Sequence, residues 1–559
     1  MTSASTQLSR ETVHDLAVLT IVIGILFSFM LGSRPLSVPD EGRYVEIPRE
    51  MVVTGDYITP RLNGVKYFEK PVLFYWLESL SIRLFGLDEF TLRLWPALLA
   101  LAGCLAVYGA GRRLYGRQAG ILSATVLATS ALYYALSRLI VLDMPVTVLL
   151  TIALLSFLVG THEPAGWRRR ILLWTFYAFT ALAVLTKGLI GIVIPAMVIG
   201  VWILLLGEWR LLKTIELPSG LALFLLIAVP WHVLVSRANP EFLNFYFVHE
   251  HVQRFLTKIH HRYRPAWFFI PVLAGGLFPW TAFLVQAVGF SLPGTWRERH
   301  EHRDALFLIL WAGTVFLFFS ASSSKLIPYI LPVFPPLALL IGRYLAAGWN
   351  GLDLPGIRRG MLVLFAVMLL AAAALVALPL LVQKTETATL ANYAMLAAAI
   401  LILTACAHLF FLKRRGLRQG LLALVAGSAL LLTALNAAAG RVEPHSTKKM
   451  AQLLKPRLRI GDVVASYAAY FQDLPVYLER RIVVVDWAGE LAFGMSVENT
   501  SDWMTTSDLF WKRWNGPETI YVFMNRDVYG WLTLLKKPNL FLVAGNDETV
   551  LLSNKEMKS

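Results

Sequence analysis

Adjacent carboxylates are the first residues here whose type and spacing suit chemistry. Asp40 and Glu41 stand in Pro39-Asp40-Glu41, at the start of a helix-like stretch, and Asp143 stands in Leu142-Asp143-Met144-Pro145, at the start of an apolar run. A carboxylate at a helix start either caps free backbone N–H groups or, at the edge of an apolar layer where charge is costly, performs a task. Arg43, one turn after Asp40, is either its ion-pair partner or a phosphate ligand. Lys70, in Phe68-Glu69-Lys70-Pro71, and Lys325, in Ser324-Lys325-Leu326-Ile327-Pro328-Tyr329, enter apolar sequence. They either snorkel toward a polar surface or hold an anion. His249, His251, His260 and His261 share one loop with Arg254, Lys258 and Arg262. No H-x-x-x-H pair and no cysteines accompany them, so as a metal motif the cluster is weak; its bland reading is surface histidine near phosphates.

The elements that position these groups are membrane spans. Of 559 residues, 57% are hydrophobic and 16% charged, with a mean hydropathy of +0.60, which excludes a purely soluble enzyme and a disordered chain. Apolar windows long enough to cross a bilayer recur at 15–32, 92–110, 118–136, 144–160, 171–187, 188–206, 219–235, 266–289, 304–320, 329–347, 361–382, 393–412 and 420–438. The first lacks a cleavage site of small residues and reads as an uncleaved anchor. With the N-terminus in the cytoplasm, the cytoplasmic connections carry seventeen Lys and Arg and the short outer ones four, as the positive-inside rule requires. Thirteen spans then put the C-terminus outside.

From about residue 440 the pattern changes. Apolar runs shorten to strand length at Val463–Tyr467, Ile482–Asp486, Thr519–Met524, Leu540–Ala544 and Thr549–Leu552, with helical stretches near 447–455, 470–479 and 527–536. This alternation predicts a small α/β domain over 440–559, following a membrane domain over 1–439. The only two cysteines, Cys104 and Cys406, fall inside predicted spans and read as core residues.

Two long outer loops, about 33–75 and 236–265, hold the unusual residues. The first is expected to form two interfacial helices, one from Asp40 and one from near Pro71, with Trp76 at headgroup depth. The chain's net charge is +15, but the tail from 440 holds 15 Lys and Arg against 14 Asp and Glu. The excess is therefore in the membrane part. Beyond the cytoplasmic bases, eleven lie in the outer loops: Arg34, Arg43, Arg49, Arg61, Lys66, Lys70, Arg237, Arg254, Lys258, Arg262 and Arg264. They are expected to face phosphate, and with no basic domain present nucleic acid is excluded as a partner.

Taken together, Pro39-Asp40-Glu41 with Arg43-Tyr44, Tyr67-Phe68-Glu69-Lys70-Pro71 with Tyr75-Trp76, Arg138 through Asp143, His249-Glu250-His251 with Arg254-Phe255, His261-Arg262 before Pro265-Ala266-Trp267-Phe268-Phe269, and Ser324-Lys325 with Pro328-Tyr329 carry a resemblance. The chain resembles the GT-C glycosyltransferases of the protein mannosyltransferase-like superfamily, and within it the bacterial lipid A aminoarabinose transferases. Phe268-Phe269 departs from the pattern, standing where a tyrosine is expected. The resemblance covers the whole chain. It implies a polytopic all-α membrane domain of about 13 helices with outer interfacial helices and a soluble α/β domain at the C-terminus, in the bacterial inner membrane, with active site and tail periplasmic. It implies transfer of 4-amino-4-deoxy-L-arabinose from undecaprenyl phosphate to lipid A phosphates, the lipopolysaccharide modification that confers polymyxin resistance. It further implies Asp40, Asp143 and Glu41 as acidic site residues, Arg43 and Lys70 on the donor phosphate, and Arg254, Arg262 and Lys258 on the acceptor phosphate. Tyr67, Tyr329 and Lys325 would line the sugar pocket. No cofactor is required, with Glu69 and His249 a candidate pair for Zn²⁺ or another divalent cation.

The acceptor decides what the carboxylates do. A hydroxyl acceptor, as in a protein O-mannosyltransferase, needs a general base, and Asp40 would serve. A phosphate acceptor is already ionised, so the carboxylates would instead pair with the donor's ammonium, orient an acceptor oxygen or stabilise an oxocarbenium-like centre. The expected reaction is direct displacement with inversion. The outer-loop bases favour the anionic acceptor. A polyprenyl-lipid flippase or transporter would show inverted repeats and ionisable residues at mid-membrane depth, whereas these charges gather at the outer edge.

Overall fold

The structure is a computed structural model that describes residues 2–247, 263–381, 387–441 and 446–556. Its chain divides into two compact units, one of residues 1–31, 94–232 and 247–441, the other of residues 32–93, 233–246 and 442–559.

The first unit is helical, and all thirteen apolar windows fall on helix. Among the described residues, however, only ten helices are long and apolar enough to cross a membrane unaided, or eleven if a bent pair counts as one span. The expected count of thirteen is not reached, for local reasons. Window 266–289 is two helices bent by 104° around Leu277-Phe278-Pro279, where proline removes a backbone donor. Window 118–136 breaks into Arg117–Ala128 and Ala131–Leu136. At the break, the hydroxyls of Thr129 and Ser130 bond back to the Thr125 and Val126 carbonyls at 2.6 and 2.7 Å, which weakens a helix. Window 188–206 yields Ile190–Leu206, only 17 residues, about 26 Å of helix against a hydrocarbon core of about 30 Å.

Small residues set the closest helix contacts. A Cβ at Gly120 would lie 2.6 Å from the Tyr108 carbonyl oxygen, so Leu94–Tyr115 and Arg117–Ala128 meet backbone to backbone. Arg138, 3% exposed, donates to the Phe27 carbonyl at 2.7 Å, to the Phe29 carbonyl, and to Asn436 Oδ1 at 3.0 Å. A predicted outer-loop cation thus caps the C-terminal end of the first span, where free carbonyls favour positive charge. Cys104 is buried as expected, but Cys406 is exposed on the helix Thr387–Arg415, facing out of the bundle.

The second unit holds the first-loop helices Asp40–Thr54 and Leu73–Phe85, a hairpin of β1 (Arg61–Leu62) and β2 (Val65–Lys66), and a six-stranded sheet. That sheet contains β3 (Val463–Tyr467), β4 (Val483–Val485), β5 (Met504–Thr505), β6 (Ile520–Asn525), β7 (Phe541–Gly545) and β8 (Thr549–Ser553). Strand order is β5-β4-β3-β6-β8-β7; the first four run parallel, and β8 runs antiparallel to both of its neighbours, β6 and β7. The central strands VVASY and IYVFMN are near-continuous apolar runs, as befits strands covered on both faces. Ala465, Val522, Met524 and Leu552 pack there with Phe510 and Trp514. All five strands expected in the tail are present; the two-residue β5 and the β1–β2 hairpin were not anticipated.

The Asp40 helix differs from the interfacial helix expected, because residues 41–51 are buried on every face. The tail covers it: a Cβ at Gly42 would fall 2.5 Å from the Asp473 backbone nitrogen, a contact only glycine permits. The hairpin is joined to the sheet by a reciprocal pair, Asn63 Nδ2 to the Ile482 carbonyl and Ile482 N–H to Asn63 Oδ1, both at 3.0 Å.

Candidate functional site

Arg43 is the centre of the cluster in the second unit. The Asp40 helix places it one turn after Asp40, and Arg43 Nη2 lies 3.5 Å from Asp40 Oδ1. Its Nε lies 2.7 Å from Glu490 Oε2, an ion pair by distance rather than an aligned hydrogen bond. Nη1 donates weakly to Tyr67 Oη at 3.5 Å. Arg43 is 8% exposed, while the Asp40 side chain is 54% exposed, so one partner faces solvent and the other is enclosed. Burial would lower the guanidinium's affinity for its proton, but Tyr67, Glu490 and Glu69 around it raise it well above the ordinary value; Arg43 is a permanent cation. Glu490 is pushed the other way: burial raises its carboxyl above the usual range, only partly offset by Arg43.

Asp40 occupies the first helical position after Pro39, and no side chain caps this helix end. Its ion pair with Arg43 replaces the capping role. Glu41, expected with the acidic site residues, is fully buried. Arg93 grips it through Nε and Nη2 at 2.9 and 2.8 Å, Arg34 at 3.3 Å, and both the backbone N–H and hydroxyl of Ser37 at 3.0 Å. Burial alone would raise its carboxyl, but Arg93 and Arg34 outweigh that and hold it at about 2. Glu41 is an anchor of the loop and has no free face for substrate.

Lys70 donates to the Glu69 carbonyl at 2.7 Å and is partly buried beside Glu69. Tyr67 is 1% exposed. Two residues of this cluster escaped sequence reasoning. Glu490 stands in a tail stretch with no motif, and only the fold brings it to Arg43. Tyr75 is fully buried with a hydroxyl that finds no hydrogen-bond partner among the described residues, packed on Tyr44 at 6.2 Å between ring centroids.

The expected phosphate-facing bases need correction. Arg34, Arg43, Arg49, Arg61 and Lys66 are each paired with a carboxylate of the same unit: Glu41 at 3.3 Å, Glu490 at 2.7 Å, Glu46 at 2.6 Å, Glu498 at 3.0 Å and Glu241 at 2.7 Å. Several of these acids come from distant sequence, so counting loop charges overstated the free positive surface. Arg254, Lys258, Arg262 and His249 lie outside the described residues. The Glu69–His249 pair therefore has only one member in view, and among the described residues no three His, Cys, Asp or Glu side chains converge to hold a metal.

In the first unit, Asp143 heads the helix Asp143–Gly160 and accepts from Lys187 Nζ at 2.5 Å. Lys187 ends Trp167–Lys187, and its ammonium lies 4.8 Å from the Tyr329 ring centroid. The three form one acid–cation–ring cluster, and Lys187 was not among the predicted site residues. Lys325 is 4% exposed and donates to the Arg264 and Ser322 carbonyls at 3.0 and 2.5 Å, tying two loop ends together.

Comparisons with known proteins agree with this architecture. A family model described as dolichyl-phosphate-mannose-protein mannosyltransferase matches residues 19–246, and one described as aminoarabinose transferase C-terminal domain matches residues 450–554. The chain is 31% identical to undecaprenyl phosphate-alpha-4-amino-4-deoxy-L-arabinose arabinosyl transferase 2 of Sodalis glossinidius over 87% of this chain and 88% of that protein. It is 37% identical to the corresponding transferase 1 of Proteus mirabilis over 58% of each. The crystal structure of ArnT from Cupriavidus metallidurans bound to undecaprenyl phosphate superposes with a TM-score of 0.85 at 29% identity, covering 96% of this chain and 98% of that one. With both units matched in one relative across nearly its full length, the chain belongs to the undecaprenyl phosphate-aminoarabinose arabinosyl transferases, multi-pass membrane glycosyltransferases of the GT-C type.

Proposed function

We propose that the chain transfers 4-amino-4-deoxy-L-arabinose from undecaprenyl phosphate to phosphate groups of lipid A, on the periplasmic face of the bacterial inner membrane. The observation that carries this reading is Arg43: a permanent cation, largely buried, held between an exposed carboxylate and an enclosed one. A phosphate leaving group departs without protonation if cations hold it. The guanidinium offers a two-pronged fork for its oxygens and Lys70 a point charge. Donor phosphate competes with Glu490 for Arg43, and the raised affinity of Glu490 for a proton eases that exchange.

The acceptor phosphate arrives ionised, so no base is needed to activate it. Asp40, exposed beside Arg43, pairs with the donor's ammonium and sets the sugar ring in line with the attacking oxygen. Displacement at the anomeric carbon then inverts it, with the bond to the acceptor oxygen forming as the bond to the donor phosphate breaks. Asp143, with Lys187 as its counterion, is the second acidic group assigned to the transfer. The excess of cytoplasmic Lys and Arg supports an N-terminus inside and the Arg43 cluster outside. An O-mannosyl transferase is disfavoured by the names of the relatives.

The test is complementation of a polymyxin-sensitive strain that makes the donor lipid but lacks its own aminoarabinose transferase. Lipid A mass spectrometry should show the added sugar with the wild-type chain and none with Arg43→Ala. Unmodified lipid A with the well-expressed wild-type chain would overturn the reading.

A further inference from the structure

The tail's sheet carries a cleft of its own. β3 is the first strand of the sheet in the chain; β4 and β5 add on one side of it and β6 on the other. Growth of the sheet therefore reverses between β3 and β6, and in open α/β sheets small ligands bind outside the carboxyl ends of the strands at such a reversal. A cavity of about 620 Å³ lies there, within the range of small-molecule sites. It is bounded by Tyr467 at the end of β3, Asp486 just past β4, Asp508 and Trp511 of the helix Ser507–Trp514, and Asp527 and Trp531 of the helix Arg526–Leu534.

The wall is ordered by a chain of hydrogen bonds. Ser507 Oγ donates to Asp486 Oδ2, Tyr467 Oη and Ser507 Oγ lie 2.8 Å apart, and Trp511 Nε1 donates to Tyr467 Oη at 3.2 Å. Two non-glycine residues at the strand ends, Ala468 and Asp486, hold left-handed φ angles of 53° and 49°, strain of the kind that collects at ligand sites. Lys537 Nζ lies 5.2 Å from the Trp511 ring centroid, so the chain itself already seats an ammonium on one aromatic wall. The second ring, Trp531, is 58% exposed and uncovered.

Three carboxylates against one ammonium repel a phosphate. Tyr467-Ala468-Ala469-Tyr470 stands where a phosphate site would have a glycine-rich turn, so nucleotides and phosphate esters are excluded on both counts. The complementary ligand is a small polyol with a positive charge. Its hydroxyls donate to the carboxylates, its ring C–H face covers Trp531, and its ammonium takes the cation-attracting wall. We propose that this cleft binds an ammonium-bearing saccharide, at a site distinct from the Arg43 cluster. Such a site stands whether or not the chain transfers a sugar.

Saturation-transfer NMR on the full-length chain in nanodiscs tests it with D-glucosamine, D-glucose and ethanolamine as probes. D-glucosamine should receive saturation, with D-glucose and ethanolamine each weaker by about fivefold or more, since losing either the charge or the ring removes one wall's contact. Trp531→Ala and Asp527→Asn, both at exposed positions, should each cut the D-glucosamine signal by a similar factor, and Lys537→Gln, which removes the competing ammonium, should raise it. If Trp531→Ala misfolds, Asp527→Asn carries the test alone. No signal from D-glucosamine, a signal that survives both substitutions, or equal signals from D-glucose or from ethanolamine would overturn the proposal.

Discussion

Glu490 Oε2 sits 2.7 Å from Arg43 Nε, although the two residues stand near opposite ends of the chain. The tail, whose sequence carries no recognisable motif, thus supplies the counterion for a buried cation of the first loop. A buried charge stripped of its partner is strongly destabilising. Whatever displaces Glu490 must therefore bring a negative charge of its own, which is the condition a donor phosphate meets.

Arg43→Lys keeps the charge but loses the fork. The KM for the lipid-phosphate donor should rise about 10- to 100-fold, the worth of one or two charge-assisted hydrogen bonds, with a smaller change in KM for the acceptor. Steady-state kinetics with varied donor lipid checks this; an unchanged donor KM would remove Arg43 from the phosphate site.

Because burial raises the Glu490 carboxyl above the usual range, it takes up a proton at a higher pH than an exposed glutamate. The donor's phosphodiester stays anionic there. As pH falls through that value, competition for Arg43 weakens and the donor KM should fall. Glu490→Gln should abolish this slope. A slope retained in Glu490→Gln would assign it to another group.

Asp143 and Lys187 form a pair, so single substitutions confuse charge balance with chemistry. Asp143→Asn leaves Lys187 unpaired and should lower both expression and transfer. In Asp143→Asn with Lys187→Met the charge balance is restored and expression should recover. Transfer, read by lipid A mass spectrometry, should stay depressed by about 100-fold or more if the carboxylate acts on the transition state. Full recovery of transfer would make the pair structural.

Gly42→Ala is a test of the packing of the Asp40 helix. Its new methyl would meet the backbone of Gln472 and Asp473 at 2.5 to 2.6 Å, contacts that no rotamer change relieves. Loss of about 1–3 kcal/mol, typical of overpacking, should appear as a lower Tm and faster proteolysis of the tail.

Asp473 is fully buried, and its carboxyl is pushed from 3.8 up to about 6 by burial, against hydrogen bonds from Thr447 N–H and Ser446. The native state holds this proton more tightly than the unfolded chain. Its contribution is therefore full below about pH 4 and is lost as pH rises to about 6, a change of about 3 kcal/mol. Asp473→Asn lacks this loss, so its Tm relative to wild type should rise between pH 4 and 6 and level off above. A constant difference across that range would refute the assignment.

The apolar windows were legible because a bilayer demands length and composition that local sequence displays. Their interruptions were less so: Thr129-Ser130 breaks a helix through side-chain bonding, a matter of geometry rather than hydropathy. The strands β3, β4, β6, β7 and β8 were visible as short apolar runs, whereas two-residue β5 is too short to leave a pattern. Asp40, Arg43 and Tyr67 could be found because they lie within one stretch of loop. Glu490 could not, since nothing within the tail marks it as an ion-pair partner, and Glu41 was misassigned because Arg34 and Arg93, which bury it, carry no local signal.

The second unit is drawn from three stretches of chain, 32–93, 233–246 and 442–559. The Asp40 helix leaves the ribosome roughly 400 residues before Asp473 and Glu490, which at about 5–20 residues per second is about 20–80 s. Throughout that interval Gly42 presents its bare surface, and Arg43 has no Glu490. The enzyme therefore spends most of its own synthesis with this unit unfinished, and only the last fifth of the message makes it whole. A chain cut short between about residues 440 and 472 carries every predicted span yet leaves this helix without the contacts that bury it.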